Sequence, residues 1–162
     1  MEKYIARCHR RLKKWGAPLE NWNCSRVVDN EDTTTCELCN CEKVRFIHVM
    51  EHDMYFEEVN VGCICAGIME GDILAAKERD RLMKNRAKRK LNFPKRKWKV
   101  SRNGSHYIDY KDKRVFINLN NGKYNCNCEG NRVWSYKGKT IENFISACYA
   151  AFDLIDPIDE VM

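Results

Sequence analysis

Five thiols crowd two short stretches of this chain, Cys36, Cys39 and Cys41 in Cys36-Glu37-Leu38-Cys39-Asn40-Cys41, and Cys63 and Cys65 in Cys63-Ile64-Cys65. A Cys-x-x-Cys turn aims both sulfurs at one point, the arrangement a tetrahedral Zn²⁺ prefers. A second pair must then arrive from elsewhere in the chain. Cys36, Cys39 and Cys65 are firm by position, and Cys63 fits as the fourth ligand, with His48 as its competitor and Cys41 as a further substitute. An all-thiolate set leaves no open position for water, so the expectation is one structural zinc rather than a catalytic one.

Two runs that alternate apolar and polar, residues 43–50 and 54–61, lie between the thiol pairs and meet at the polar turn Glu51-His52-Asp53. Such a pattern predicts a β-hairpin, and a hairpin that goes out and returns carries Cys63 and Cys65 back to the first pair. A short helix should follow Cys65 as far as Glu70. The order of turn, hairpin and helix over residues 34–70 resembles the treble-clef zinc modules. Those usually place two residues between the ligands of the second pair, where this chain has one.

Upstream, residues 2–15 read as an amphipathic helix with Tyr4, Ile5, Cys8, Leu12 and Trp15 on one face. Gly16 and Pro18 stop it, and its other face carries Lys3, Arg7, Arg10, Arg11, Lys13 and Lys14. Trp22, Val27 and Val28 lead into the turn, with residues 29–35 as a polar loop. Downstream, Gly71-Asp72 is a break and a fresh N-cap, and a second helix should run over 73–91.

The formal charge is +6, and it is localised. Residues 77–102 hold thirteen Lys or Arg against Glu78 and Asp80, a net +11 that leaves −5 for the rest of the chain. Such a stretch releases counterions on meeting a phosphate backbone, but carries no sequence information. Lys84, Arg86, Lys88, Arg89, Lys90, Lys95, Arg96, Lys97, Lys99 and Arg102 are therefore the candidate phosphate contacts. An acidic protein surface would attract the same stretch.

From Lys97 the period becomes that of strands, punctuated by turns at Asn103-Gly104, residues 111–113, Asn121-Gly122, Glu129-Gly130 and Lys137-Gly138. Thr140 should cap a last helix whose apolar face is Ile141, Phe144, Ile145, Cys148, Phe152 and Ile155, ended by Pro157 before an acidic tail. A sheet backed by one helix leaves its other face free. Over residues 97–155 this order, with Gly138-Lys139-Thr140 entering the helix and Ala-rich positions from Ala147 to Ala151, resembles ethylene-response-factor DNA-binding domains and the arm-binding domains of tyrosine integrases. That resemblance implies recognition by the open sheet face, for which Arg114, Lys123, Arg132, Trp134 and Tyr136 are the nearest equivalents. Asp109, Asp112, Glu129 and many Asn residues make the sheet less basic than in those families. Cys126 and Cys128 share one strand face; a second metal site there would need partners such as Cys24, Cys8 or His106, and the better reading is two small core residues.

No phosphate loop, dinucleotide fingerprint, nucleophile elbow or His-Glu-x-x-His motif is present. His48 and His52 beside Glu51 and Asp53 leave a divalent-metal nuclease as a minor alternative. The charged N-terminus, the missing apolar run and the close Cys spacings point to an intracellular, cytoplasmic, reduced protein without a membrane span. The expectation is an α+β chain: a helix and zinc-stapled module over 1–72, a basic linker helix over 73–96, and a three- to four-stranded antiparallel sheet with a C-terminal helix over 97–162. Its expected role is that of a non-catalytic nucleic-acid-binding accessory protein, similar to proteins of phages and mobile elements. A protein-binding adaptor or inhibitor is the alternative.

Overall fold

The computed structural model describes residues 1–158, and the acidic tail expected at Asp159-Glu160 lies outside them. The chain is mixed α+β and divides into two compact units, Met1–Asn85 and the residues from Arg86 onward. The boundary falls within one helix, so the stretch read as a linker contributes its first part to one unit and its remainder to the other.

The first unit opens with α1, Glu2–Lys14. Tyr4, Ile5, Cys8, Leu12 and Trp15 all join its core, with Cys8 and Leu12 fully buried. Three antiparallel strands follow in spatial order: β1 (Asn23–Thr34), β2 (Val44–Glu51) and β3 (Val59–Val61). The polar loop expected at 29–35 is instead the end of β1. Its Asp and Thr residues disguise a strand because the segment is largely exposed and its register with β2 shifts between Asp29 and Thr34. The strand expected over 54–61 shrinks to β3, since residues 52–57 form a turn around His52, whose Nδ1 accepts from the Met54 N–H at 3.0 Å.

Helix α2, Cys63–Glu70, follows β3 directly. Gly71, at φ 79°, ends it, and the Asp72 carboxylate accepts from the Ala75 N–H at 3.0 Å to start α3, Ile73–Asn92. The two helices meet closely at Gly67, where a Cβ would lie 2.6 Å from the Ile73 Cα. Backbone cannot yield as a side-chain tip does. Gly67→Ala is therefore expected to destabilise the first unit by about 1–3 kcal/mol, measurable as a lower midpoint of chemical unfolding; an unchanged midpoint would mean that the helices part without cost.

In the second unit a short 3-10 helix, Phe93–Lys95, leads into a five-stranded antiparallel meander. Its strands are β4 (Lys99–Val100), β5 (His106–Tyr110), β6 (Lys113–Asn120), β7 (Lys123–Cys128) and β8 (Asn131–Val133). A small ribbon of β9 (Ser135–Tyr136) and β10 (Lys139–Thr140) precedes the last helix, α4, Phe144–Ile155. Thr140 thus belongs to a strand rather than a cap. The cap is Asn143, whose side chain accepts from the Ser146 N–H at 2.8 Å. Helix α4 packs on β6 and β7, burying Ile108, Val115, Ile117, Cys126, Cys128, Cys148, Phe152 and Ile155 in one core. Ile145, expected on the apolar face, is 54 % exposed.

Candidate metal centre and open sheet face

Cys36 and Cys39 sit in the turn between β1 and β2, and Cys65 lies in the first turn of α2. Their sulfurs lie within 4.8 Å of one another, so these three residues can hold a metal ion. Two backbone hydrogen bonds close the turn: the Cys36 N–H donates to the Cys41 carbonyl at 2.8 Å, and the Asn40 N–H donates to the Cys36 carbonyl at 2.9 Å. The Gly62 N–H lies 3.3 Å from the Cys36 sulfur, a donor aimed at a developing thiolate. Cys36 and Cys65 are 0 % and 1 % exposed.

Helix α1 closes the site from its apolar face. The Cys8 sulfur stands 4.0 Å from that of Cys65, and the Tyr4 hydroxyl 3.0 Å from the Cys65 sulfur. The hydrogen bond to Cys65 draws the Cys8 thiol below its usual range, against its burial. The contact with Cys65, then burial, pushes the Cys36 thiol up. At Cys65 the bond with Cys36 lowers the pKa, but the contact with Cys8 and burial outweigh it and the thiol is raised. Burial, and then the hydrogen bonds to Cys39 and Cys65, raise Tyr4. Crowding and desolvation thus oppose multiple thiolates here, a balance that a divalent cation inverts.

Neither residue expected to complete this set joins it. Cys63 and His48 are brought together elsewhere, with Asp80 of α3, each offering one ligand atom within 4.8 Å of the others. His48 lies mid-strand in β2, pairs with Val27 and Val61, and is fully buried. Its Nε2 is 3.3 Å from Asp80 Oδ1, while Nδ1 is buried with no hydrogen-bond partner among the described residues. Burial, and then the charge of Asp80, pushes the Cys63 thiol up to about 11. Cys41 is exposed. The sequence does not announce that Cys8 meets Cys65 or that Asp80 meets His48. Cys8 carried a signal, a thiol on the buried stripe of an amphipathic helix in a chain already rich in clustered thiols; Asp80 carried none amid the charges of α3.

The candidate phosphate contacts divide sharply. Arg86 is 5 % exposed, donating from Nε to the Asp156 carbonyl at 2.9 Å and from a terminal nitrogen to Asp153 at 2.8 Å. Arg89 pairs with Asp156 at 3.1 Å and Lys90 with Asp153 at 3.0 Å. These three are internal counter-charges of the second unit rather than free phosphate ligands. They looked free because their partners lie more than sixty residues away. Lys84 pairs with Asp80 at 2.9 Å, and Arg114 with Asp109 at 2.7 Å. Lys88, Lys95, Arg96, Lys97, Lys99, Arg102, Arg132 and Trp134 are exposed.

Comparison with family models, curated proteins and solved structures gives no match. The site's chemistry therefore rests on geometry alone.

On the sheet face turned away from α4, register places Lys99, Tyr107, Phe116, Asn127 and Arg132 directly opposite one another across all five strands. Directly opposed residues share a face. The Tyr107 and Phe116 rings lie 5.7 Å apart, the Arg114 guanidinium stands 4.8 Å over Tyr107, and that of Arg132 5.8 Å from Trp134. Beside the row, Asn118 donates to the Asn125 side-chain oxygen at 3.1 Å. The Asn127 side-chain oxygen is buried with no hydrogen-bond partner among the described residues. Tyr136, expected with the open-face residues, is instead partly buried against the α4 core.

Proposed function

We propose that this chain is a zinc-containing nucleic-acid-binding accessory protein. One structural Zn²⁺ is held by Cys36, Cys39 and Cys65, with Cys8 as the fourth thiolate. Sulfurs about 2.3 Å from a tetrahedral zinc stand about 3.8 Å apart; the 4.0 Å between Cys8 and Cys65 is close to that spacing, and Cys8, which stands more than 4.8 Å from at least one of Cys36 and Cys39, would close on the ion as it binds. The metal's task is to tie α1, the turn and α2 into one module, in the manner of a treble clef whose last ligand comes from an added helix.

The nucleic acid lies on the open face of the second unit. The observation that carries this reading is the Lys99–Tyr107–Phe116–Asn127–Arg132 row. It combines stacking rings with flanking cations, the mixture that single strands engage. Lys95, Arg96, Lys97, Lys99 and Arg102, exposed around the entry to the sheet, supply phosphate contacts.

Fluorescence anisotropy with labelled single-stranded DNA, RNA and duplex DNA, titrated across a salt series, tests this. Binding should favour single strands, with a log–log salt slope of about −0.7 for each phosphate engaged. Tyr107→Ala should weaken binding by about 1–3 kcal/mol with little change in salt slope, whereas Lys97→Glu with Arg102→Glu should flatten the slope. Failure of every probe to bind at low salt would overturn the reading and turn attention to an acidic protein partner.

A further inference from the structure

The ligands not used by the four-thiolate centre form a second constellation in the first unit. His48 comes from the central strand β2, Cys63 from the start of α2 and Asp80 from α3, three separate elements converging so that N, S and O donor atoms lie within 4.8 Å of one another. His48 is fully buried. Its Nε2 and Asp80 Oδ1 are 3.3 Å apart, which matches two ligands held about 2.0–2.1 Å from one tetrahedral ion. The other carboxylate oxygen of Asp80 is held 2.9 Å from Lys84 Nζ, so the carboxylate is oriented from outside the cluster as a metal-bound carboxylate commonly is.

The same three residue types also make a thiol–imidazole–carboxylate relay, and the geometry separates the two. A relay needs one ring nitrogen on the carboxylate and the other on the thiol. Here the nitrogen not facing Asp80 is buried with no hydrogen-bond partner among the described residues. The three groups form a closed triangle rather than a line.

We infer that His48, Cys63 and Asp80 form a second metal site, distinct from the Cys8/Cys36/Cys39/Cys65 centre, that takes a borderline divalent cation such as Zn²⁺ or Co²⁺. A single thiolate with imidazole and carboxylate suits that class of ion. Binding releases the Cys63 proton to solvent as the sulfur becomes a ligand. Three protein ligands leave one position for water, and Cys63 and Asp80 are both only partly buried. The inference is independent of the nucleic-acid reading.

Native mass spectrometry of the full chain reconstituted with excess Zn²⁺ should give two ions per chain, falling to one in Cys63→Ala and in Asp80→Ala. Should either variant fail to fold, the wild-type protein still decides. Iodoacetamide labelling of Cys63, mapped by peptide mass, should slow at least tenfold when Zn²⁺ is present. No ion in the wild-type protein, or a wild-type count that Cys63→Ala leaves unchanged, overturns the proposal. So does labelling of Cys63 that zinc leaves unchanged.

Discussion

On the proposed Cys8, Cys36, Cys39 and Cys65 centre, chelating the metal is expected to abolish cooperative unfolding of the first unit while the second retains its own transition. Cys8, Cys36 and Cys65 are among the most buried residues of the first core, and they join α1, the β1–β2 turn and α2. A structural zinc binds with an apparent free energy of roughly 10–16 kcal/mol at neutral pH, comparable to or above the entire stability of a small domain. Hydrogen exchange by mass spectrometry reads the two units separately. Residues 1–85 should lose protection in chelator and those of the β4–β8 sheet should not. Cys65→Ser should act as chelation does. Cys8→Ser should weaken this centre's zinc affinity by orders of magnitude, while Cys63→Ser should leave this centre loaded. A metal-free chain whose first unit still unfolds cooperatively would refute the assignment.

Asp156→Ala is expected to destabilise the second unit by about 2–3 kcal/mol. The residue is 0 % exposed, accepts from Arg89 and from the Tyr110 hydroxyl at 3.1 Å each, and lies 3.2 Å from Lys111 Nζ. Removing one member of a buried pair typically costs 3–5 kcal/mol; the figure here is lower because Arg89 and Lys111 are part-exposed and water can take up their charge. For a unit of this size the loss corresponds to a fall in Tm of about 8–24 °C. Burial works against the Asp156 carboxylate, but Arg89, Lys111 and Tyr110 outweigh it and hold its pKa below the ordinary value. A depressed folded pKa means that the stabilisation is complete above the unfolded carboxylate's value of about 3.9 and fades as the pH drops through the folded one. Thermal melts of wild type and Asp156→Asn should therefore converge as pH falls below about 4 and stay apart from pH 5 to 8. Curves separated by a constant interval down to pH 2 would show that the carboxylate's charge is not what matters.

What could be read from the sequence was what short spacing specifies. The amphipathic stripe of α1, the Cys36–Cys39 turn, the Gly71-Asp72 break and the Asn121-Gly122 hairpin are each determined within a few residues, and each is in place. Contacts between distant segments were hidden. β1 reads as a polar loop because half of a strand at a sheet edge can be as hydrophilic as a loop. Cys63 and Cys65 are one residue apart, yet on a helix that step rotates the side chain by about 200°, which sends one sulfur to the thiol centre and the other to His48 and Asp80. The basic density of α3 was visible, but not the acids at Asp153 and Asp156 that answer it.

The open face also sets a ruler. Neighbouring strands are about 4.8 Å apart, so the five-residue row from Lys99 to Arg132 measures roughly 19 Å from first strand to last. At about 3.4 Å per stacked nucleotide a ligand lying along it has room for five or six bases. On the proposed single-strand reading, affinity should climb with oligomer length up to about that footprint and flatten beyond it.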